Sequence, residues 1–352
     1  MARIKRASIY IFFTLVACVD RVDLKLDGQS NLLVVDGLIT DQSGPYTVRL
    51  SRSLKFDNSG LLTTYFVAER GAQVTIVEQS GTSTVKVDLH ERESGVYQTD
   101  AGNPDDPMDD AIRGVVGRTY WVEIRTKDGH TYQSAPETML ATPEMENLKP
   151  TLTVTNHLST TTGSLQEVWG FDMTIDTQDP PGETNYYRWK TRGIIEFQTM
   201  TENSGYTCYL PKEPLESQVT LSDDRYVDGQ KFTQIVALAP YERASRLRAI
   251  VSQYSLTQPA YEYWNKIRLQ QTSTGSIFDA APAQIVGNVT RTDQDGETVL
   301  GYFGASARTT IALTFNRLAA AGYRYPPNAA PIPNGSCKDF DALATEEVPE
   351  GF

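Results

Sequence analysis

The sequence runs to 352 residues, with 32 Lys and Arg against 44 Asp and Glu and a formal net charge of −12. That length suits two domains of ordinary size, each with a substantial core. The acidic balance, with no run of clustered Lys and Arg, argues against a nucleic-acid partner, because phosphate neutralisation needs grouped cations.

The chain opens on Arg3, Lys5 and Arg6, followed by the uncharged apolar run 7–17 and then Leu15-Val16-Ala17-Cys18 at its end. A positive n-region, a short apolar h-region and small residues before a cysteine predict a lipoprotein signal over 1–17, with Cys18 as the acylated first residue of the mature chain. The run is well under the roughly 20 residues of a membrane-spanning helix. The alternative is an ordinary signal peptide that happens to contain a cysteine. Loss of three cations with the signal moves the charge from −12 to −15. Residues 18–31 then read as a polar tether.

Strand signals follow at turn-punctuated intervals. Leu32-Leu33-Val34-Val35 turns through Asp36-Gly37, and Tyr46, Val48 and Leu50 alternate with polar residues. The same period-two pattern recurs over 72–77, at Val85, Val87 and Leu89, and over 119–124. Many short strands with almost no helical periodicity predict a mainly β chain, with a first β-sandwich domain of immunoglobulin, fibronectin or prealbumin type over 32–142. The acidic insert 103–110 offers closely spaced oxygens for calcium but lacks the glycine-punctuated loop of an EF-hand, so a solvated loop is the competing reading.

Pro136, Pro143 and Pro150 mark the linker, and a second β-rich domain is predicted over 151–325. Its strand around Tyr186-Tyr187-Arg188-Trp189-Lys190 sets Tyr187 and Trp189 on one face and Tyr186 and Arg188 on the other. Trp189 is read as core, with ligand stacking as the alternative. At Ser255 the period changes: Thr257 as N-cap and Pro259 in the first turn predict a helix over 257–272, with Trp264 and Ile267 toward a sheet. Residues 326–352 form a proline-rich tail whose last ten residues are expected to be poorly ordered. Cys208 and Cys337, an even pair beyond Cys18, are expected to form a disulfide; two free thiols is the alternative, and a Cα separation above about 7 Å would exclude the bridge.

Three stretches together are more specific than any strand pattern. They are Asn31-Leu-Leu-Val-Val-Asp-Gly-Leu-Ile-Thr-Asp41 with Gly44-Pro-Tyr-Thr-Val-Arg-Leu-Ser-Arg52; Tyr254-Ser-Leu-Thr-Gln-Pro-Ala-Tyr-Glu-Tyr-Trp264; and Thr274-Gly-Ser-Ile-Phe-Asp279 with Pro282-Ala-Gln-Ile285, Gly287-Asn288 and Leu300-Gly-Tyr-Phe303. They resemble the Bacteroidota lipoprotein family known as domain of unknown function 4249. The resemblance implies an outer-membrane, surface-exposed lipoprotein acting with a TonB-dependent receptor in substrate capture or uptake. One departure concerns the leaflet: the segment after Cys18, Val19-Asp20-Arg21-Val22-Asp23, is mixed in charge where surface export favours an acidic cluster.

No motif for chemistry emerges. There is no Gly-x-Ser-x-Gly, His-Glu-x-x-His or Walker loop, and His90, His130 and His157 lie far apart. Asp223-Asp224 reads as a solvated turn pair whose pKa values stay together. Asp293, Asp295, Gly296 and Glu297 form a second calcium candidate, with a hairpin turn as the alternative. An accessory binding lipoprotein with no enzymatic role and no cofactor beyond the Cys18 lipid is therefore expected. An adhesive or structural surface protein without a transport partner is the rival, and a hydrolase ranks last. An exposed patch formed by Tyr261, Tyr263 and Tyr302 would mark a partner or glycan surface.

Overall fold

The computed structural model describes residues 31–54, 66–102, 112–158, 164–202, 204–215, 218–272, 284–294, 296–327 and 329–352. In chain order the strands are β1 Leu33–Thr40, β2 Thr47–Ser53, β3 Phe66–Ala68, β4 Gln73–Ser80, β5 Ser83–Glu93, β6 Val96–Gln98, β7 Thr119–Arg125, β8 Thr131–Ser134, β9 Glu137–Thr138, β10 Met145–Leu158, β11 Leu165–Gln178, β12 Tyr186–Met200, β13 Gly205–Lys212, β14 Thr220–Asp223, β15 Lys231–Pro240 and β16 Arg246–Leu256. Helix α1 spans Gln258–Thr272, and β17 Val289–Arg291, β18 Leu300–Ser306 and β19 Arg308–Asn316 follow. The one-turn helices α2 Arg317–Ala320 and α3 Cys337–Phe340 complete the chain. The protein is mainly β, as its sequence predicts.

The first eleven-stranded sheet runs β17-β8-β7-β4-β5-β6-β2-β1-β18, with β3 on β2 and β9 on β7. Alternation does the work here: β7 buries every second residue, and Tyr120, Val122 and Ile124 join Val35, Val48, Leu50, Val74 and Ile76 in one core. The two ends of this path nearly meet. Asn288, just before β17, donates its side-chain amide to the Phe303 carbonyl at 2.8 Å and accepts from the Phe303 N–H at 3.0 Å, so one side chain substitutes for a ladder pair and covers both edges. A single nearly closed sheet therefore stands where the sequence predicts a sandwich.

The sequence also assigns 289–306 to the second domain, whereas β17 and β18 complete the first sheet. β18 pairs with β1 in parallel, Val35 facing Gly301 and Gly37 facing Phe303. Gly301 permits the approach: its φ is +86°, and a Cβ there would lie 1.9 Å from the Val35 carbonyl oxygen. A short alternating strand fits any half-buried edge, so its period does not reveal its partner.

The second half contains a three-stranded sheet, β10-β11-β15, and a five-stranded sheet, β13-β12-β16-β19 with β14 on β12. Phe171, Met173, Ile175 and Ala237 of the former share a core with Tyr187, Trp189, Leu247 and Val251 of the latter. Trp189 is thus core, and its Nε1 donates to Gln253 Oε1 at 2.9 Å. β18 continues through Ala307 into β19, so one extended segment serves both the first sheet and the five-stranded one. Helix α1 lies across this junction, with Ala260, Tyr261, Tyr263 and Trp264 packed on Leu256, Leu221 and Tyr302. The Ala260 N–H reaches Thr257 Oγ1 at 3.4 Å, the N-cap contact that the sequence predicts.

Cys208 on β13 is bridged to Cys337, with Cα atoms 5.5 Å apart. Contrary to the expectation of a loose end, the tail beyond Cys337 packs on the body. Thr345 exchanges both backbone hydrogen bonds with Tyr209, at 2.8 and 3.0 Å, and the Phe352 ring lies 5.0 Å from that of Tyr209. The disulfide brings this segment alongside the edge strand β13, whose free backbone groups it then pairs. No helix among the described residues is long and apolar enough to cross a membrane.

Candidate functional site

Strand β12 creates a recess through its own edge. On one side it pairs continuously with β16, but on the other it switches partner: Tyr186–Trp189 face β14, and Gly193–Met200 face β13. Lys190, Thr191 and Arg192 fall in the gap, where the Leu215 N–H donates to the Thr191 carbonyl at 2.7 Å. A cavity of about 590 Å³ opens there, lined among others by Gln42, Lys190, Glu213, Ser252, Tyr254 and Arg308.

Period-two geometry sorts β12 into two chemistries. Tyr187, Trp189 and Thr191 point into the core and are buried, while Arg188, Lys190 and Arg192 occupy the opposite face. Register extends that face sideways: Arg188 sits opposite Tyr254, which sits opposite Arg308, and Lys190 opposite Ser252, which sits opposite Thr310. Strand spacings place Arg188 about 7 Å from Lys190 along the strand and about 10 Å from Arg308 across two strands, measured at Cα.

These cations are poorly compensated. The Arg188 guanidinium stacks on the Trp264 ring, 3.3 Å from its centroid, and burial pushes its pKa down to about 10. Lys190 is lowered too, first by the protein packed around it and then by the charge of Arg188; Asp36 and Glu213 act in the opposite sense. Its side chain is open to solvent within the recess, so the crowding comes from the concave walls rather than from a covering layer. Lys190 Nζ lies 6.0 Å from the Tyr254 ring centre. Arg308 is fixed at its backbone, where its N–H donates to Asp41 Oδ1 at 2.9 Å, yet its Nε is buried without a hydrogen-bond partner. A smaller cavity of about 50 Å³ shares Arg188, Lys190 and Tyr254 and reaches Asp36 and Trp264.

The residues singled out from sequence are distributed elsewhere. Cys18, the insert 103–110 and Asp295 lie outside the described residues. Tyr261, Tyr263 and Tyr302 do come together, but as packing. Tyr302 is buried and its hydroxyl donates to Glu137, the Tyr263 ring lies 4.8 Å from it, and Tyr261 stacks on Tyr186 and donates to Asp223 Oδ2 at 2.9 Å. They do not form the open aromatic patch that the sequence leaves room for. His90 lies 3.7 Å from Asp100, His130 lies 3.2 Å from Asp293, and His157 falls in β10. Asp293 is held well below the usual carboxylate range, first by Arg291, which bridges it to Glu297.

Asp223 and Asp224 part company, against the expectation of a solvated pair. Arg225 holds Asp223 low, whereas burial pushes Asp224 up, with Asp179 and Asp228 adding to the rise. Carboxylate oxygens of Asp179, Asp224 and Asp228 lie within 4.8 Å of one another, a grouping with the donor chemistry to take a cation. Protein donors hold it: the Tyr187 hydroxyl reaches Asp179 at 2.7 Å, the Asn185 N–H reaches Asp224 at 2.8 Å, and the Gly182 N–H reaches Asp228 at 2.8 Å. The cluster clamps loop 179–185 to loop 224–230.

The sequence does not reveal Lys190, Arg192 and Arg308 as a group. Arg188-x-Lys190-x-Arg192 is a visible signal, three cations at strand period, but the same pattern describes any solvated strand face. Nothing in the sequence joins it to Arg308.

Fold and site together define a mainly β protein with an open, cation-lined recess at a break in sheet pairing. The profile of the family described as Domain of unknown function (DUF4249) matches residues 19–312, and the chain belongs to that family. No curated protein matches it.

Proposed function

We propose that this protein is a lipid-anchored capture protein of the Bacteroidota outer membrane, exposed at the cell surface, that holds a ligand beside a TonB-dependent receptor. Acylation at Cys18 would supply the anchor, and docking on the receptor a second attachment, which together meet the requirement for firm membrane association. The observation that carries the reading is the recess at β12: a volume of about 590 Å³ on a rigid β framework, with cations that form no ion pair with a described residue. Among its described lining residues Glu213 is the one carboxylate and there is no histidine, which favours holding a ligand over transforming it.

The rival is an adhesive surface protein without a transport partner; Tyr261, Tyr263 and Tyr302, which as an exposed patch would mark a partner or glycan surface, pack against the body instead and lend it no support. Affinity capture of the native protein from detergent-solubilised outer membranes tests the proposal. A TonB-dependent receptor should co-elute in near-stoichiometric amount; recovery of the protein alone would reject the partnership.

A further inference from the structure

We propose that the recess at the β13/β14 break binds a small organic oligoanion, a molecule carrying two or more carboxylate or phosphate groups, through Arg188, Lys190 and Arg308, with Arg192 at the rim. The inference deepens the capture reading by naming the ligand chemistry.

Charge pairing elsewhere supplies the first argument. Where cations cluster with acids they pair: Arg52 with Glu69 at 2.6 Å, Arg225 with Asp223 at 2.7 Å, Arg246 with Glu196 and Arg291 with Asp293. None of the four recess cations has an ion pair among the described residues. Exposed cations elsewhere, such as Arg125, Lys149 and Lys212, stand without ion pairs among the described residues too, so the departure lies in the grouping: four unpaired cations share one recess, and an anionic ligand would neutralise them together. Gathering like charges is otherwise unfavourable, and burial raises the cost.

Preorganisation supplies the second. Stacking on Trp264 fixes the plane of the Arg188 guanidinium while leaving its N–H edge free, and a planar fork of that kind matches carboxylate and phosphate oxygens. Arg308 Nε is a buried donor without an acceptor, a rare state in a folded protein and one that an incoming oxygen would satisfy. The cations are spread over about 7 to 10 Å, so one small anion cannot neutralise them all, whereas two or more anionic groups on one skeleton can. Polar neighbours continue the surface: the Ser252 and Thr310 hydroxyls lie 3.2 Å apart on the same face.

Thermal unfolding of the purified, detergent-solubilised chain at matched ionic strength tests this, with sodium chloride as reference, citrate and pyrophosphate as probes, and maltose as an uncharged control. At about a hundredfold excess over its Kd a ligand of the folded state should raise Tm by about 5 °C. Citrate alone giving the rise identifies a polycarboxylate, pyrophosphate alone a phosphate ester; maltose should give none. The Lys190→Gln/Arg192→Gln variant changes two exposed side chains and should lose the rise, while Lys190→Arg should keep it and so control for folding. The proposal is overturned if neither anion exceeds chloride, or if the rise is undiminished in the double variant, which would make it a general salt effect. An anion response without receptor capture would retain the recess and discard the partnership, and the reverse outcome would do the opposite.

Discussion

Two arginines in the second half of this molecule are both pushed down to about 10 by burial, and they differ in every other respect. Arg317, at the start of α2, is 1 % exposed and its guanidinium donates to the Pro240 carbonyl at 2.9 Å, to the Ser245 carbonyl at 3.3 Å and to Ser245 Oγ. Arg188 stacks on Trp264 and borders a cavity. A buried cation whose guanidinium nitrogens each donate to a protein oxygen is a structural tie, because losing it strands those oxygens. A cation with donors left over, facing open volume, is what a ligand site requires. Burial alone does not separate the two; hydrogen-bond satisfaction does.

The largest expected effect bears on the frame of the recess. Cys208 lies on β13, one lip of the break in pairing, and its bridge to Cys337 spans a sequence separation of 129. The chain-entropy account gives a loop of that size nominally about 5 kcal/mol. The Cys208→Ser/Cys337→Ser variant should therefore unfold at markedly lower urea, and protease should attack the tail beyond 337 first. A loss under about 1 kcal/mol would mean that tail and β13 are held by the Tyr209–Thr345 pairing instead.

Arg317 against Arg188 comes next. Arg317→Gln should cost about 3 kcal/mol in urea titration, since it removes three donors from buried oxygens. Arg188→Gln should change stability by within about 1 kcal/mol, the lost ring contact being offset by relief of a desolvated charge. Equal losses at the two sites would erase the distinction between tie and site.

The smallest effect concerns a carboxylate between these extremes. Glu137 is 3 % exposed and accepts hydrogen bonds from the Tyr302 and Thr257 hydroxyls at the α1 junction; burial pushes its pKa up. A folded-state pKa above the unfolded value means the native protein binds the proton more tightly. Its contribution to stability is then fullest below about pH 4.3, the unfolded value, and is lost as pH rises through the folded one. Glu137→Gln should remove that fall, flattening the stability profile by on the order of 1 kcal/mol per pH unit across this window. An unchanged profile would show that the hydroxyls compensate the charge fully.

Much of the scaffold was legible because its signals are local. Alternation in 72–77 and 119–124 follows from the two-residue repeat of a strand, the helix start at Thr257 from capping chemistry, and the Cys208–Cys337 pair from being the two cysteines left after Cys18. The tyrosines of α1 were legible as an aromatic group but not as packing, because a helix that braces two sheets carries the same residues as one that faces a partner. Asp224 is hidden for a similar reason: its neighbour in sequence is Asp223, but its pKa is raised first by burial and then by Asp179, from a distant loop, with Asp228 of its own loop adding to the rise.

By itself, then, the sequence determined a mainly β chain, one helix and a disulfide pair, each written in a stretch short enough for periodicity or spacing to specify it. Tertiary structure alone decided that 289–306 closes the first sheet, that the tail is pinned to β13, and that Arg188, Lys190 and Arg308 share a recess. The physical reason is common to all three. Strand pairing is chosen by register and edge availability between distant segments, and a charge acquires its role only when folding determines which opposite charges can reach it.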